Sequence, residues 1–112
     1  KINKKKLING CANITGGGLL GNLNRIIPNN LSLNIDLSKI KTKSIFVWLK
    51  NNNIKDSEML NTFNCGVGFC LVTNKRNVNK IKKIFSKDYQ PYQIGFISKG
   101  KSKISTLGKL QW

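Results

Sequence analysis

The sequence predicts an α/β (α+β) fold in which a layered mixed sheet packs against helices. Apolar side chains recur at helical spacing in four segments, and four strand-length segments with alternating or continuous apolar residues lie between and after them. A glycine-containing turn over 98–101 predicts a hairpin at the end of the chain and therefore an antiparallel strand pair. At 112 residues, the chain has the length of one domain or of part of one.

The first half of the chain predicts a helix, a strand and two shorter helices. Residues 19–27 place their apolar side chains on one helical face, and Pro28 ends that helix. Apolar and polar residues alternate over 31–36, as in a strand with one buried face. Ser44 is the predicted cap of the next helix, and another short helix is predicted to begin at Asp56.

The second half predicts a buried strand, a helix and two final strands. Residues 66–73 form an almost continuous apolar run, which is typical of a strand covered on both faces. A helix over 78–85 has an apolar side and a lysine-rich side. Over 92–96 the even-numbered residues are apolar or aromatic, which predicts that they share one face of a strand. The last strand is predicted to hold Ile104 and Thr106.

Composition excludes several classes of site. The chain has no histidine, which removes serine–histidine and cysteine–histidine catalysis from this segment. Its three cysteines include no CxxC pair, which argues against a disulfide framework and a zinc site, and Cys70 is expected to be a small buried apolar residue. The four acids show no spacing typical of a magnesium site, so no metal ligand is predicted. No segment is apolar enough to span a membrane, and the basic start lacks a signal sequence, so a cytoplasmic protein is predicted.

The formal net charge of +16 raises the alternative of a basic nucleic-acid-binding module. Eighteen of the twenty cations are lysines, however, and the only arginines are Arg25 and Arg76. Surfaces that read bases favour arginine, and these lysines are scattered among many asparagines and isoleucines. Compositional drift of the genome is therefore the favoured explanation, and nucleic acid is not an expected partner. A structural partner module remains a further alternative.

Thr15, Gly16, Gly17 and Gly18 form the segment with the most chemical content. Successive glycines expose backbone N–H groups and adopt backbone angles that are closed to other residues. The helix that follows directs its amino terminus to the same place, so a phosphate or carboxylate would fit there. The spacing matches neither a Walker loop nor a dinucleotide fingerprint, and a simple tight turn remains the alternative.

A second glycine-bearing segment spans 62–68 and joins a predicted helix to the predicted buried strand. Asn64 tolerates left-handed backbone geometry, and Gly66 and Gly68 allow another backbone or a ligand to come close to the strand. A helix stop followed by close packing is the structural alternative.

Four segments resemble the phosphoribosylformylglycinamidine cyclo-ligase family, in chain order and with matching gaps. They are 12–19 (ANITGGGL, similar to AHITGGGL), 45–49 (IFVWL, similar to IFxWL), 58–68 (EMLNTFNCGVG, similar to EMxRTFNCGVGM) and 92–95 (YQIG, similar to xxIG). The first continues through Asn22, Arg25 and Pro28, similar to the family's NxPRxLP. Formylglycinamidine ribonucleotide amidotransferase and selenophosphate synthetase share the glycine triplet, but the TFNCGVG run and the tryptophan helix favour the cyclo-ligase.

The resemblance implies the incomplete carboxy-terminal domain of the aminoimidazole ribonucleotide synthetase-like fold. The implied enzyme is a ligase of purine biosynthesis that uses ATP and Mg²⁺ to convert formylglycinamidine ribonucleotide to aminoimidazole ribonucleotide. Its partners would be a phosphorylated small-molecule substrate and ATP. An amino-terminal domain would bind the nucleotide and form a homodimer. Residues 1–112 are expected to be one partial carboxy-terminal domain that lacks this nucleotide-binding domain and is inactive alone.

The resemblance also implies roles for individual residues. Gly16, Gly17 and Gly18 would bind the substrate phosphate, with Thr15 and Asn64 as supports. Asn13 occupies the position of a family histidine at the active-site face and is the implied catalytic position. An asparagine can form hydrogen bonds there, but it cannot shuttle a proton near neutral pH.

Overall fold

The computed structural model describes residues 6–101 and 103–112. These residues form an α+β fold, which confirms the predicted class. The strands are β1 (Gly10–Asn13), β2 (Leu31–Asp36), β3 (Phe69–Val72), β4 (Gly95–Lys99) and β5 (Ile104–Leu107). The helices are α1 (Gly18–Asn24), α2 (Ser44–Lys50), α3 (Asp56–Thr62) and α4 (Val78–Lys82). Over the described residues, no helix is long and apolar enough to cross a membrane.

The strands form two sheets. β1 and β3 pair antiparallel, and β2 lies between β4 and β5 in the second sheet. Because β2 is antiparallel to β4 and parallel to β5, the second sheet is mixed, as predicted.

The predicted hairpin at the end of the chain is wrong, because β4 and β5 do not pair with each other. The turn after β4 crosses the start of β2, where the Gly100 N–H donates to the Asn30 carbonyl at 3.1 Å. A Cβ on Gly100 would lie 1.9 Å from Ser32 Oγ, so a larger residue at this crossing would require Ser32 to shift. The chain therefore reaches the far edge of β2 before β5 begins.

Three helix predictions need adjustment at their boundaries. α1 begins at Gly18, within the expected range of Leu19, but it ends at Asn24 rather than at Ile27. The predicted cap at Ser44 is wrong: Ser44 is the first helical residue, and the residue at the cap position, Lys43, makes no side-chain capping bond. α4 holds Val78 and Ile81 as predicted but ends at Lys82, so Ile84 and Phe85 of the predicted helix lie beyond it.

Two strand predictions were incorrect in detail. The run over 66–73 contains a strand only from Phe69 to Val72, and Phe69 is 57% exposed rather than covered. Phe96 is 61% exposed because it pairs with Asn34 on the outer face, while Ile97 lies opposite the buried Leu33. A shift of one residue exchanges the two faces of a strand.

The core lies between α1, α3 and the inner faces of both sheets. The side chains of Leu19, Ile35, Met59 and Cys65 are fully buried. Burying a Leu, Ile or Met side chain contributes about 1.5–3 kcal/mol relative to leaving it exposed. The same helices and strands position the loops that form the candidate site.

Candidate functional site

The pairing of β1 with β3 brings the two glycine-bearing segments together. Asn13 at the end of β1 lies opposite Phe69 at the start of β3. The Ile14 N–H then donates to the Gly68 carbonyl at 2.9 Å. The loop that follows β1 (residues 15–18, the glycine loop) and the turn that precedes β3 (residues 64–68, the Asn64 turn) therefore meet at one end of this sheet.

The backbone of the glycine loop requires glycine at two positions. Gly17 has φ 92° and ψ 0°, and Gly18 has φ 65°. A Cβ on Gly18 would lie 1.9 Å from the Leu60 carbonyl oxygen in α3, so α1 and α3 come into backbone contact here. The Gly18 N–H donates to the Thr15 carbonyl at 3.1 Å and closes the loop.

The buried side chain of Asn22 holds this loop from inside. Only 6% of Asn22 is exposed, and its amide nitrogen lies 3.2 Å from the carbonyl oxygens of Thr15 and Gly16 and 2.7 Å from that of Gly18. The loop carbonyls are thus directed toward the helix. Over the part of the chain that the structure describes, the N–H groups of Gly16 and Gly17 donate to no protein acceptor.

Asn22 was not predicted as a site residue. The sequence signal that could have indicated Asn22 is its place, with Arg25, in the segment similar to NxPRxLP. In the structure the Arg25 guanidinium lies 3.5 Å from Asn22 Oδ1. The sequence showed this spacing, but it could not show that the asparagine turns inward. The structure thus adds a residue that fixes the loop without facing solvent.

The Asn64 turn is held by its own asparagine. Asn64 Oδ1 accepts from the Gly66 N–H at 2.9 Å, and the Asn64 carbonyl accepts from the Val67 N–H at 2.8 Å. Gly66 has φ 103°, and a Cβ there would lie 2.6 Å from the Lys41 carbonyl oxygen. Asn64 therefore shapes the turn, and its predicted support of a ligand stays a prediction.

The two buried cysteines near the site, Cys65 and Cys70, have raised pKa values. Burial raises the pKa of Cys65 to about 11, and the negative charge of Asp56 acts in the same direction. Burial likewise raises the pKa of Cys70 to about 11. Because the thiolate is the nucleophile, neither thiol has the ionisation that a catalytic cysteine needs. This agrees with the predicted role of Cys70 as a small buried residue, whereas Cys11 is exposed.

Two of the acidic side chains form hydrogen bonds or ion pairs with residues outside the glycine loop. Asp56 Oδ1 lies 2.9 Å from Lys50 Nζ and accepts from the Trp112 indole at 3.1 Å, and these bonds lower the Asp56 pKa. The Ser38 hydroxyl is the main cause of the lowered pKa of Asp36. Across residues 6–101 and 103–112, no three His, Cys, Asp or Glu side chains form a group that could hold a metal ion.

The structure thus brings together all the predicted site residues at one sheet end. Asn13 and Thr15 to Gly17 are exposed, Gly18 is buried beneath them, and Asn64 is partly buried in the neighbouring turn. The arrangement offers free N–H groups and an exposed amide. It can bind an anion and donate hydrogen bonds, but it provides no group that titrates near neutral pH.

Residues 1–108 match the family described as "AIR synthase related protein, C-terminal domain". The chain belongs to this family. The α+β architecture is consistent with this family.

Relatives within the family have consistent names. The chain is 40% identical over 103 residues to the phosphoribosylformylglycinamidine cyclo-ligase of Prochlorococcus marinus strain NATL2A, which covers 90% of this chain and 30% of that protein. It is 41% identical over 97 residues to the Streptococcus agalactiae protein of the same name, covering 86% of this chain and 28% of that one. It is also 41% identical over 81 residues to the "Trifunctional purine biosynthetic protein adenosine-3" of Chironomus tentans, covering 71% of this chain and 6% of that one. The chain therefore spans about 30% of the length of the cyclo-ligases it matches.

Proposed function

We propose that these residues form the carboxy-terminal part of an ATP-dependent phosphoribosylformylglycinamidine cyclo-ligase and bind the phosphate of its substrate. One observation carries the proposal: Asn22 holds the glycine loop through its carbonyls, while the N–H groups of Gly16 and Gly17 donate to no acceptor among the described residues, in a chain 40% identical to a protein of that name. The matched part of the chain includes the loop, the Asn64 turn and the helix behind them.

The proposed phosphate ligands are the N–H groups of Gly16 and Gly17. Asn22 holds the loop carbonyls on the opposite side, so these N–H groups need not reorganise when an anion binds. The carboxylates of Asp36 and Asp56 are already held by Ser38 and Lys50, respectively. The +16 net charge would raise the encounter rate with an anionic substrate, most strongly at low salt.

The proposed reaction transfers the γ-phosphoryl group of ATP to the formyl oxygen of formylglycinamidine ribonucleotide. An internal nitrogen then attacks the activated carbon, and the carbon–oxygen bond breaks as phosphate leaves. This segment would position the substrate, with Asn13 donating or accepting a hydrogen bond at the active-site face. It would not move the proton, since the chain has no histidine and burial keeps the Cys65 and Cys70 thiols protonated.

The remaining components of the proposed enzyme lie outside these 112 residues. The described side chains do not fit a Mg²⁺ site, so the proposal assigns ATP and Mg²⁺ to another part of the longer polypeptide. A homodimer formed through an amino-terminal domain and a cytoplasmic location are also part of the proposal.

The test is ATP-dependent ring closure by the full-length protein and its Gly17→Val variant. Valine is β-branched and L-configured, so it disfavours the φ of 92° at this position and shields the adjacent N–H groups. We expect loss of ring closure in Gly17→Val and no ring closure by residues 1–112 alone. Full activity in a folded Gly17→Val variant would remove the glycine loop from the mechanism.

Gly21→Ala provides the matched control. Gly21 lies in α1, is exposed, and would meet nothing within 4 Å of an added Cβ. We therefore expect normal ring closure in Gly21→Ala. Loss of activity in both variants would point to a general effect on the helix rather than on phosphate binding.

A further inference from the structure

A large aromatic side chain beside the candidate site is exposed to solvent. Phe69 is the first residue of β3, and it is 57% exposed. Its cross-strand partner is Asn13, the implied catalytic position. Directly opposed residues of an antiparallel pair have Cβ atoms about 4.5–5.5 Å apart and lie on the same face.

The face that carries Phe69 is fixed by the core. Ala12 and Cys70 are paired with each other and buried, so Asn13 and Phe69 must both point outward. The hydrogen bond from the Ile14 N–H to the Gly68 carbonyl, at 2.9 Å, joins the backbones just beyond this pair. The ring therefore lies on the same face as Asn13, which precedes the glycine loop by two residues.

We propose that Phe69 is a substrate-binding residue whose ring stacks on the planar amidine or imidazole end of the ribonucleotide. This inference rests on the proposed function, in which the glycine loop holds the phosphate end of the same molecule. Asn13 lies between the two and supplies hydrogen bonds to polar atoms of the ligand. A flat nitrogen heterocycle stacks on an aromatic face, and a cationic amidine is additionally attracted to its π electrons.

Comparison with Phe96 shows why Phe69 is assigned this role. Phe96 is similarly exposed, at 61%, and it also lies opposite an asparagine, Asn34. The Asn34 amide is already used, because it donates to Ser98 Oγ at 3.0 Å and to the Phe96 carbonyl at 3.4 Å. The Asn13 side chain forms no hydrogen bond with any other described residue, so the Asn13–Phe69 pair has a free polar group and a free aromatic face.

The test measures the binding of two probes to the full-length protein by calorimetry. Aminoimidazole ribonucleotide carries the planar ring and the phosphate, whereas ribose 5-phosphate carries only the phosphate end. Base–aromatic stacking removed by alanine weakens binding by about tenfold or more. We therefore expect Phe69→Ala to weaken aminoimidazole ribonucleotide binding about tenfold and to leave ribose 5-phosphate unchanged.

Three further variants separate the possible outcomes. Phe69→Tyr keeps the ring and should bind both probes normally, and so should the matched control Phe96→Ala. Gly17→Val should lose both probes. Wild-type affinity of Phe69→Ala for aminoimidazole ribonucleotide would refute the stacking role and leave the phosphate site in place. An equal loss of both probes would also refute the stacking role, because ribose 5-phosphate carries no planar ring. A wild-type protein that binds neither probe would refute the proposed function and the stacking role together.

Discussion

Replacing Gly18 with alanine tests the contact on which the candidate site is built. Gly18 has φ 65°, and an added Cβ would lie 1.9 Å from the Leu60 carbonyl oxygen and 2.7 Å from the Asn61 carbonyl carbon. Both atoms belong to the backbone of α3, so no side-chain rotation can relieve the clash. The methyl group must separate α1 from α3 or distort the glycine loop.

Two costs add in this variant. A non-glycine residue in the left-handed region costs roughly 1–2 kcal/mol, and overpacking a well-packed contact costs roughly 1–3 kcal/mol more. We therefore expect the free energy of unfolding to fall by about 2–5 kcal/mol, a large part of the ~5–15 kcal/mol typical of a folded domain.

Urea denaturation followed by circular dichroism measures this change, provided that the m-value stays constant. Gly16→Ala is the matched control in the same loop, because an added Cβ there would meet nothing within 4 Å and the residue does not have the positive φ found at Gly17 and Gly18. Its free energy of unfolding should change by no more than about 1 kcal/mol. Equal stability of Gly18→Ala and the wild-type protein would show that α1 and α3 are not in backbone contact.

Three further predictions concern the thiols, the Asp56 contacts and the surface charge. A thiol reagent at neutral pH should label Cys11 rapidly and should label Cys65 and Cys70 only on unfolding. Because the folded pKa values of Cys65 and Cys70 are raised to about 11 from 9.0, the contribution of these two thiols to the free energy of unfolding should be present below pH 9 and lost as pH rises toward 11. Trp112→Phe should lower the free energy of unfolding by about 1 kcal/mol in thermal denaturation at neutral pH, since it removes the indole donor to Asp56. The lowered pKa of Asp56 means that its contacts stabilise the fold above about pH 3.8 and that this stabilisation is lost as the pH falls through the folded pKa. The difference in free energy of unfolding between the wild-type protein and Asp56→Asn should therefore shrink from about pH 7 to about pH 2, and an unchanged difference would contradict this. Filter binding at physiological salt should show weak duplex DNA binding without sequence preference, and nanomolar, sequence-selective affinity would overturn the explanation of the charge by compositional drift.

Predictions of burial from the sequence are most accurate for helices and strands that bury one regular face. The alternation in β2 placed Leu33 and Ile35 correctly in the core, and the apolar spacing after the glycine loop placed Leu19 and Leu23 there as well. In these elements the local pattern and the tertiary packing agree, so the pattern alone is sufficient.

β1 was missed because its sequence, Gly-Cys-Ala-Asn, contains no β-branched or aromatic residue. It is a strand because β3 offers it a complete set of backbone partners, from Gly10 opposite Val72 to Asn13 opposite Phe69. The exposed position of Phe96 escaped prediction for a similar reason, since the pairing with β2 decides which face is buried. Pairing between distant segments cannot be seen in the local pattern.

The candidate site was predicted in its residues but not in its construction. The glycine loop and the Asn64 turn were both identified, but nothing in the sequence showed that they meet across β1 and β3. The inward orientation of Asn22 depends on the loop carbonyls that surround it in three dimensions. Sequence motifs thus indicated the chemistry, and only the fold showed how the parts are supported.

The central position of β2 in its sheet has a consequence for how the protein acquires its structure. Both neighbours of β2 come from the end of the chain, and the bond between Asn34 and Ser98 joins residues 64 positions apart. During synthesis on the ribosome, β2 would emerge long before either partner, with both of its edges unpaired. Pairing over such separations folds slowly, and unpaired strand edges are sites of aggregation. The excess of positive charge would then act on the nascent chain, since mutual repulsion keeps incomplete copies apart until β4 and β5 arrive.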